Sequence, residues 1–128
     1  ARLSWSWPTG SPQEGMRRLY PDLLRARKMV PALQDFVNRE AQVCQPESDG
    51  GILRLSRGGK QSGDGISVFF NLSPRPLSFA LPEKLEVLFC SESPRYQGTG
   101  FDPLAKELPA FGAVVCGGAS FRDAFVAT

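Results

Sequence analysis

Ser11 to Leu33 reads SPQEGMRRLYPDLLRARKMVPAL, the strongest amphipathic helix pattern in a chain of 128 residues, and the residues after it carry the shorter period of strands. Ser11, Pro12 and Glu14 supply an N-cap, a first-turn proline and the acidic residue of a capping box. Met16, Leu19, Tyr20, Leu23, Ala26 and Val30 then recur at helical spacing, while Arg17, Arg18, Asp22, Arg25 and Lys28 take the other sides. One face of this helix therefore needs a partner. Pro21 removes the bond to the Arg17 carbonyl, which predicts either a kink or a restart with Pro21 as first residue and Asp22 at a helix N-terminus. Pro31 ends or bends the helix near Val30. The basic residues of this stretch read as a solvated helix face rather than as phosphate ligands.

From Ala41 the period changes to 2, with strands expected near 41–45, 51–57, 65–72, 76–81, 85–90 and 111–116. Ile66, Val68, Phe70 and Leu72 form one strand face, and Leu77, Phe79 and Leu81 another. Val87 to Cys90 and Ala113 to Cys116 are continuous apolar runs, the pattern of central strands covered on both sides. The fold class is mainly β: an antiparallel β-sandwich preceded by one amphipathic, kinked α-helix. The organisation expected is an arm and helix over 1–38 and a β domain over 39–128. After Gly117 the tail could add a short strand or fray.

At 14.0 kDa the chain should expose roughly 6,700 Å² folded against about 20,000 Å² unfolded, enough burial for one core. A net charge of +2 from intermixed basic and acidic residues implies no field that would recruit nucleic acid or a membrane. The chain has no histidine, which excludes the usual zinc frameworks and Ser-His or Cys-His nucleophilic machinery, and no metal or cofactor is expected. Cys44, Cys90 and Cys116 make an odd count without a CxxC pair, read as free thiols in a reducing compartment. With no apolar run of membrane-spanning length and no basic-then-apolar order in ARLSWSWP, a cytoplasmic location is expected.

Several stretches invite chemistry. Trp5 and Trp7 alternate with serines and would point to one side of an extended arm, as a sugar-stacking platform or as a hydrophobic clamp on a neighbouring surface; the clamp is favoured because two exposed indoles form an unfavourable patch. Gly58 to Gly65, GGKQSGDG, lacks phosphate-loop spacing and reads as a hairpin loop. Asn71-Leu72-Ser73 matches a glycosylation sequon at a strand end and is discounted. Glu92 and Asp102 lie in one loop, and a carboxylate pair is the minimum equipment of a glycosidase, but a solvated loop is the simpler reading. Gly98 and Gly100 can supply positive φ for a tight turn that Tyr96 anchors by packing.

Three stretches together resemble the C-terminal end of α-amylase superfamily glycoside hydrolases (glycoside hydrolase family 13), most closely the malto-oligosyltrehalose trehalohydrolases. LYPDLLRARKMVPAL is similar to the last helix of the catalytic barrel, with Pro21 in place of a polar residue and Met29 and Val30 where a charged residue and histidine are common. VFFNLSPRPLSFALP is similar to a strand, turn and strand of the C-terminal β domain. LFCSESPRYQGTG followed by LPAFGAVVC resembles the late loop and closing strand of that domain. The resemblance implies a non-catalytic domain, because the family's Asp nucleophile, Glu acid/base and third Asp lie on barrel strands outside these motifs. It also implies a parent enzyme that cleaves α-1,4-glucosidic bonds, with Met16, Leu19, Tyr20, Leu23 and Val30 facing the barrel. The partner expected is that barrel, with an α-glucan as a further candidate. Two alternatives belong to other classes: a stand-alone carbohydrate-binding module using Trp5 and Trp7, and a protein-interaction domain that dimerises through Leu19 and Leu23 on the helix face.

Overall fold

The computed structural model describes residues 9–35, 37–47, 50–58, 65–81, 85–101 and 107–125, with the side chains of 45–47 excepted. Ser11 caps α1 (Pro12–Met29) by accepting from the Glu14 N–H at 3.3 Å. Glu14 reaches one residue beyond a capping box and accepts from the Gly10 N–H at 2.6 Å. The helix passes through Pro21 unbroken, so the alternative to a kink, a restart at Pro21, does not occur. Val30 closes it in the extended conformation that a following proline favours, and Pro31–Gln34 add a short 3-10 helix.

The strands are β1 (Arg39–Glu47), β2 (Gly50–Arg57), β3 (Ile66–Asn71), β4 (Leu77–Ser78), β5 (Glu86–Cys90), β6 (Glu107–Leu108) and β7 (Ala113–Gly117). Five of them form an antiparallel sheet in the order β1-β2-β3-β7-β5, and β4 pairs with β6 in a two-stranded ribbon. The expected strand over 76–81 is shorter than its apolar pattern, and β6 carries too little pattern to be read in advance.

Alternation along β3 sends Ile66 and Val68 to the helix side of the sheet and Phe69 to the ribbon side. On the helix side, Ala26, Val30 and Ala32 pack with Ile66, Leu88, Phe89, Tyr96, Val115 and Phe125. On the ribbon side, Ile52, Phe69, Val114 and Cys116 pack with Leu77, Phe79 and Leu108. Among the described residues the molecule is thus mainly β, a lopsided sandwich with one α-helix on its outer face. Residues of the helix and of the sheet share the first cluster, which crosses the boundary expected at 38/39.

The two continuous apolar runs occupy different places. β7 is central, between β3 and β5. β5 is an edge strand, which corrects the central placement. Its run is apolar because Leu88, Phe89 and Cys90 are covered from both faces, aided by a register shift between Val87 and Phe89 that turns side chains to either side. The tail neither adds a strand nor frays over its described part: Ala119–Ala124 form a 3-10 helix that buries Ala124 and Phe125.

Candidate functional site

α1 carries two apolar stripes, and the structure treats them differently. Gly15, Leu19, Asp22, Ala26 and Val30 follow one another at spacings of four and three, the rhythm of a single helix face. Gly15, Ala26 and Val30 are buried, and Leu19 packs against the same cluster. One residue further round, about 100° away, Met16, Tyr20 and Leu23 make a second stripe, broadened by Leu24. These are exposed by 45%, 61%, 37% and 56% respectively. The five residues expected to form one docking face therefore separate. Val30 and Leu19 face the chain's own sheet, because the turn after α1 folds back onto it, while Met16, Tyr20 and Leu23 remain open.

The opposite flank of α1 is tied to the loop after β5. Asp22 accepts from Arg95 Nε at 2.8 Å and from the Tyr96 hydroxyl at 2.6 Å. Hydrogen bonds from Arg95, followed by those from Tyr96 and reinforced by the guanidinium charge, hold the Asp22 carboxyl below the usual carboxylate range against the opposing effect of burial. Burial pushes the Tyr96 phenol up to about 12, and its bond to the Asp22 carboxylate adds to the rise. Arg18 donates to the Arg95 carbonyl and Arg25 to the Asp123 carbonyl, each at 3.3 Å, so part of the basic face braces loops as well as meeting solvent.

Tyr96 anchors its loop, as expected from sequence, by stacking obliquely on Phe89 with centroids 5.3 Å apart. Of the two glycines, Gly100 supplies positive φ as expected and Gly98 does not. Gly100 has φ +100, but the left-handed residue beside the anchor is Gln97, at φ 62. Gly98 serves close approach instead, since a Cβ there would lie 2.3 Å from the Glu92 backbone. Glu92 Oε2 accepts from the Thr99 N–H and hydroxyl, both at 3.1 Å, and so closes the same loop. Its proposed partner Asp102 lies outside the described residues, as do Trp5, Trp7 and positions 59–64 of the glycine-rich loop.

Asn71 does not behave as an exposed sequon. It is buried, and its side-chain nitrogen reaches the carbonyls of Arg75, Leu108 and Pro109 at 2.9, 3.0 and 3.0 Å, while its oxygen accepts from the Ser73 N–H at 2.9 Å. Cys90 and Cys116 are buried and Cys44 is exposed, and all three are free. Burial raises the Cys90 thiol and pushes that of Cys116 up to about 12, so both behave as small apolar core residues. No described helix is long and apolar enough to cross a membrane.

No family model matches the chain, and no curated protein matches it.

Proposed function

We propose that the chain is the non-catalytic C-terminal portion of an α-amylase superfamily glycoside hydrolase acting on α-1,4-glucans, with malto-oligosyltrehalose trehalohydrolase as the parent type. In this role α1 is the last helix of the catalytic (β/α)8 barrel. The parent enzyme would work in the cytoplasm, in keeping with three free thiols. One observation carries the proposal: α1 has already buried one stripe against its own sheet, yet it holds out Met16, Tyr20, Leu23 and Leu24 on the next. A helix at the edge of a two-layer domain needs one apolar face, and a second one marks a surface made to be covered. The helix of the resemblance, LYPDLLRARKMVPAL, is the element that would lie between barrel and β domain.

The test is co-expression of this chain with a tagged trehalohydrolase barrel truncated ahead of its last helix. The chain should copurify in equal amount, and hydrolysis of maltooligosyl trehalose should require both pieces. Leu23→Glu and Tyr20→Glu should each abolish copurification. Isothermal titration of the chain alone with maltoheptaose should give no saturable heat. Hydrolysis by the chain alone, or a barrel that never retains it, would overturn the proposal.

A further inference from the structure

β1 is an outer strand of the sheet, and the register shows which of its backbone groups are left over. Opposed residues of an antiparallel pair alternate between those that exchange both backbone hydrogen bonds and those that exchange none. The Gly58 N–H donates to the Asn38 carbonyl at 2.7 Å, one step before the Arg39–Arg57 pair. The Leu72 N–H donates to the Gly51 carbonyl at 2.8 Å, which turns the odd-numbered residues of β2 toward β3 and the even-numbered ones toward β1. Both bonds give the same result: Glu40 and Gln42 bond inward to Ser56 and Arg54, while Arg39, Ala41 and Val43 point their backbone groups away from the sheet. The Arg39 N–H is spent on the Val37 carbonyl at 3.1 Å. Before the register shift that follows Val43, the outward groups are therefore the Arg39 carbonyl and both groups of Ala41 and of Val43. Among the described residues no strand pairs with this edge, and Arg39 to Cys44 are all exposed, Val43 by 61%. The opposite edge differs, because Leu88, Phe89 and Cys90 of β5 are buried and Arg122 of the 3-10 helix braces Glu86.

We infer that this edge is an interface with a second copy of the chain, the two β1 strands pairing antiparallel about a two-fold axis beside Ala41. An unpaired edge is a template for another strand, and here the row of free groups is self-complementary. Ala41 exchanges both of its bonds with its own copy, and each Val43 N–H meets the other copy's Arg39 carbonyl, so every outward N–H finds an acceptor in an isologous contact that closes on itself. The Val43 carbonyl is left to solvent, since the N–H opposite it is the one held by Val37. The pairing stays within Arg39 to Val43, the regular part of the strand. Charge supports the same axis. Glu40 falls opposite Gln42 of the other copy and Arg39 opposite Val43, so no like charges meet. Moving the axis one residue toward Arg39 would set the two Glu40 carboxylates against each other, and moving it one residue the other way would bring Gln45, beyond the register shift, against Arg39. An edge this short buries little area, so the dimer is weak and depends on concentration. It uses neither α1 nor its open stripe, and so stands or falls apart from the proposed parent enzyme.

Small-angle X-ray scattering of the chain, at concentrations up to about 1 mM, should show a reversible monomer–dimer equilibrium. Ala41→Lys opposes two ammonium groups across the axis and should weaken the dimer by about tenfold. Ala41→Pro deletes the outward N–H without removing a bond to β2 and should weaken it by a similar factor. Position 41 is exposed and gives no bond to β2, so both variants should melt with the parent chain in a thermal scan of dilute protein. Gln42→Lys sets a lysine against Glu40 of the other copy and should tighten the dimer severalfold. A chain that stays monomeric overturns the inference. So does a dimer that Leu23→Glu disperses and Ala41→Lys does not, which would put the contact on the open stripe of α1. Weakening by Gln42→Lys would place that residue on the axis and overturn the register.

Discussion

The Tyr96 hydroxyl donates to Asp22 across 2.6 Å, joining a residue in the middle of α1 to one that lies 74 positions later in the chain. Arg95 holds the same carboxylate from a second direction, so the helix and the loop after β5 are fixed by one charged acceptor. Removing the phenol in Tyr96→Phe leaves Asp22 with Arg95 alone. Hydrogen bonds to charged groups contribute roughly 1.5–3 kcal/mol, and a loss of about 2 kcal/mol in urea unfolding is expected.

The same group couples the fold to pH. Asp22 has a lowered folded pKa, so its contribution is complete above the ordinary carboxylate value of about 4 and fades as the pH falls below it toward the lowered value. Tyr96 is shifted the other way, from 10.0 to about 12. Its neutral form is the one the fold favours, so that contribution is complete below pH 10.0 and is lost as the pH rises through about 12. Asp22→Asn should flatten the acid limb of a stability-versus-pH curve and bring the phenol's ultraviolet titration to lower pH. An acid limb as steep as that of the parent would mean that other carboxylates control acid unfolding.

Gly15 lets α1 approach that loop closely. A Cβ at this position would stand 2.2 Å from the Tyr96 carbonyl oxygen. In a free helix Gly→Ala is favourable by about 1 kcal/mol. Here the added methyl must push apart two elements already joined through Asp22, and a net loss of about 2 kcal/mol is expected, as for overpacking elsewhere. A Gly15→Ala variant with a higher urea midpoint than the parent would show that helix and loop can separate at little cost.

Asn71 is the polar centre of the other end of the sandwich, where one amide links the turn after β3 to the segment after β6. Asn71→Asp is nearly the same size but directs a carboxylate oxygen at three carbonyls that had a donor. A loss of about 3 kcal/mol or more is expected, with Asn71→Ala somewhat milder because it leaves the carbonyls unsatisfied without adding a charge. Equal urea midpoints for the two variants would contradict this account.

Much of this was legible in the residues. Ser11, Pro12 and Pro31 mark the ends of α1 because capping and proline geometry act within a few residues, and the alternation in β3 follows from a local period. What was not legible is long-range. Six apolar residues at helical spacing do not reveal that a second element will claim Val30 and Leu19 and leave Met16, Tyr20 and Leu23 outside, because that choice depends on where the chain folds back. Gly15 carries no signal until Tyr96 is placed against it, and Glu92 reads as a solvated loop carboxylate until Thr99 occupies its oxygen. Arg95 carries no signal of its own; its role comes from Asp22, far away in sequence.

Phe111 bears two costs at once. Its backbone is in the left-handed region, at φ 53, and its side chain is 67% exposed. A left-handed conformation costs an L-residue about 1–2 kcal/mol that glycine avoids, and a ring this exposed recovers little by packing. The turn itself is held by the backbone, with the Phe111 N–H donating to the Ser73 carbonyl at 3.1 Å and the Gly112 N–H to the Pro109 carbonyl at 2.9 Å, so neither bond needs the ring. Phe111→Gly should therefore raise the isolated chain's stability by about 1 kcal/mol, with the gain in strain relief partly offset by the freer unfolded backbone. Phe111→Ala keeps the strain and discards the ring, and should be close to neutral. The pair separates the two costs in a single set of urea titrations: a gain confined to glycine assigns the cost to the backbone, and an equal gain for both assigns it to the exposed ring. A loss for both would mean that the ring packs in solution against a surface that stabilises the turn, contrary to the expected outcome.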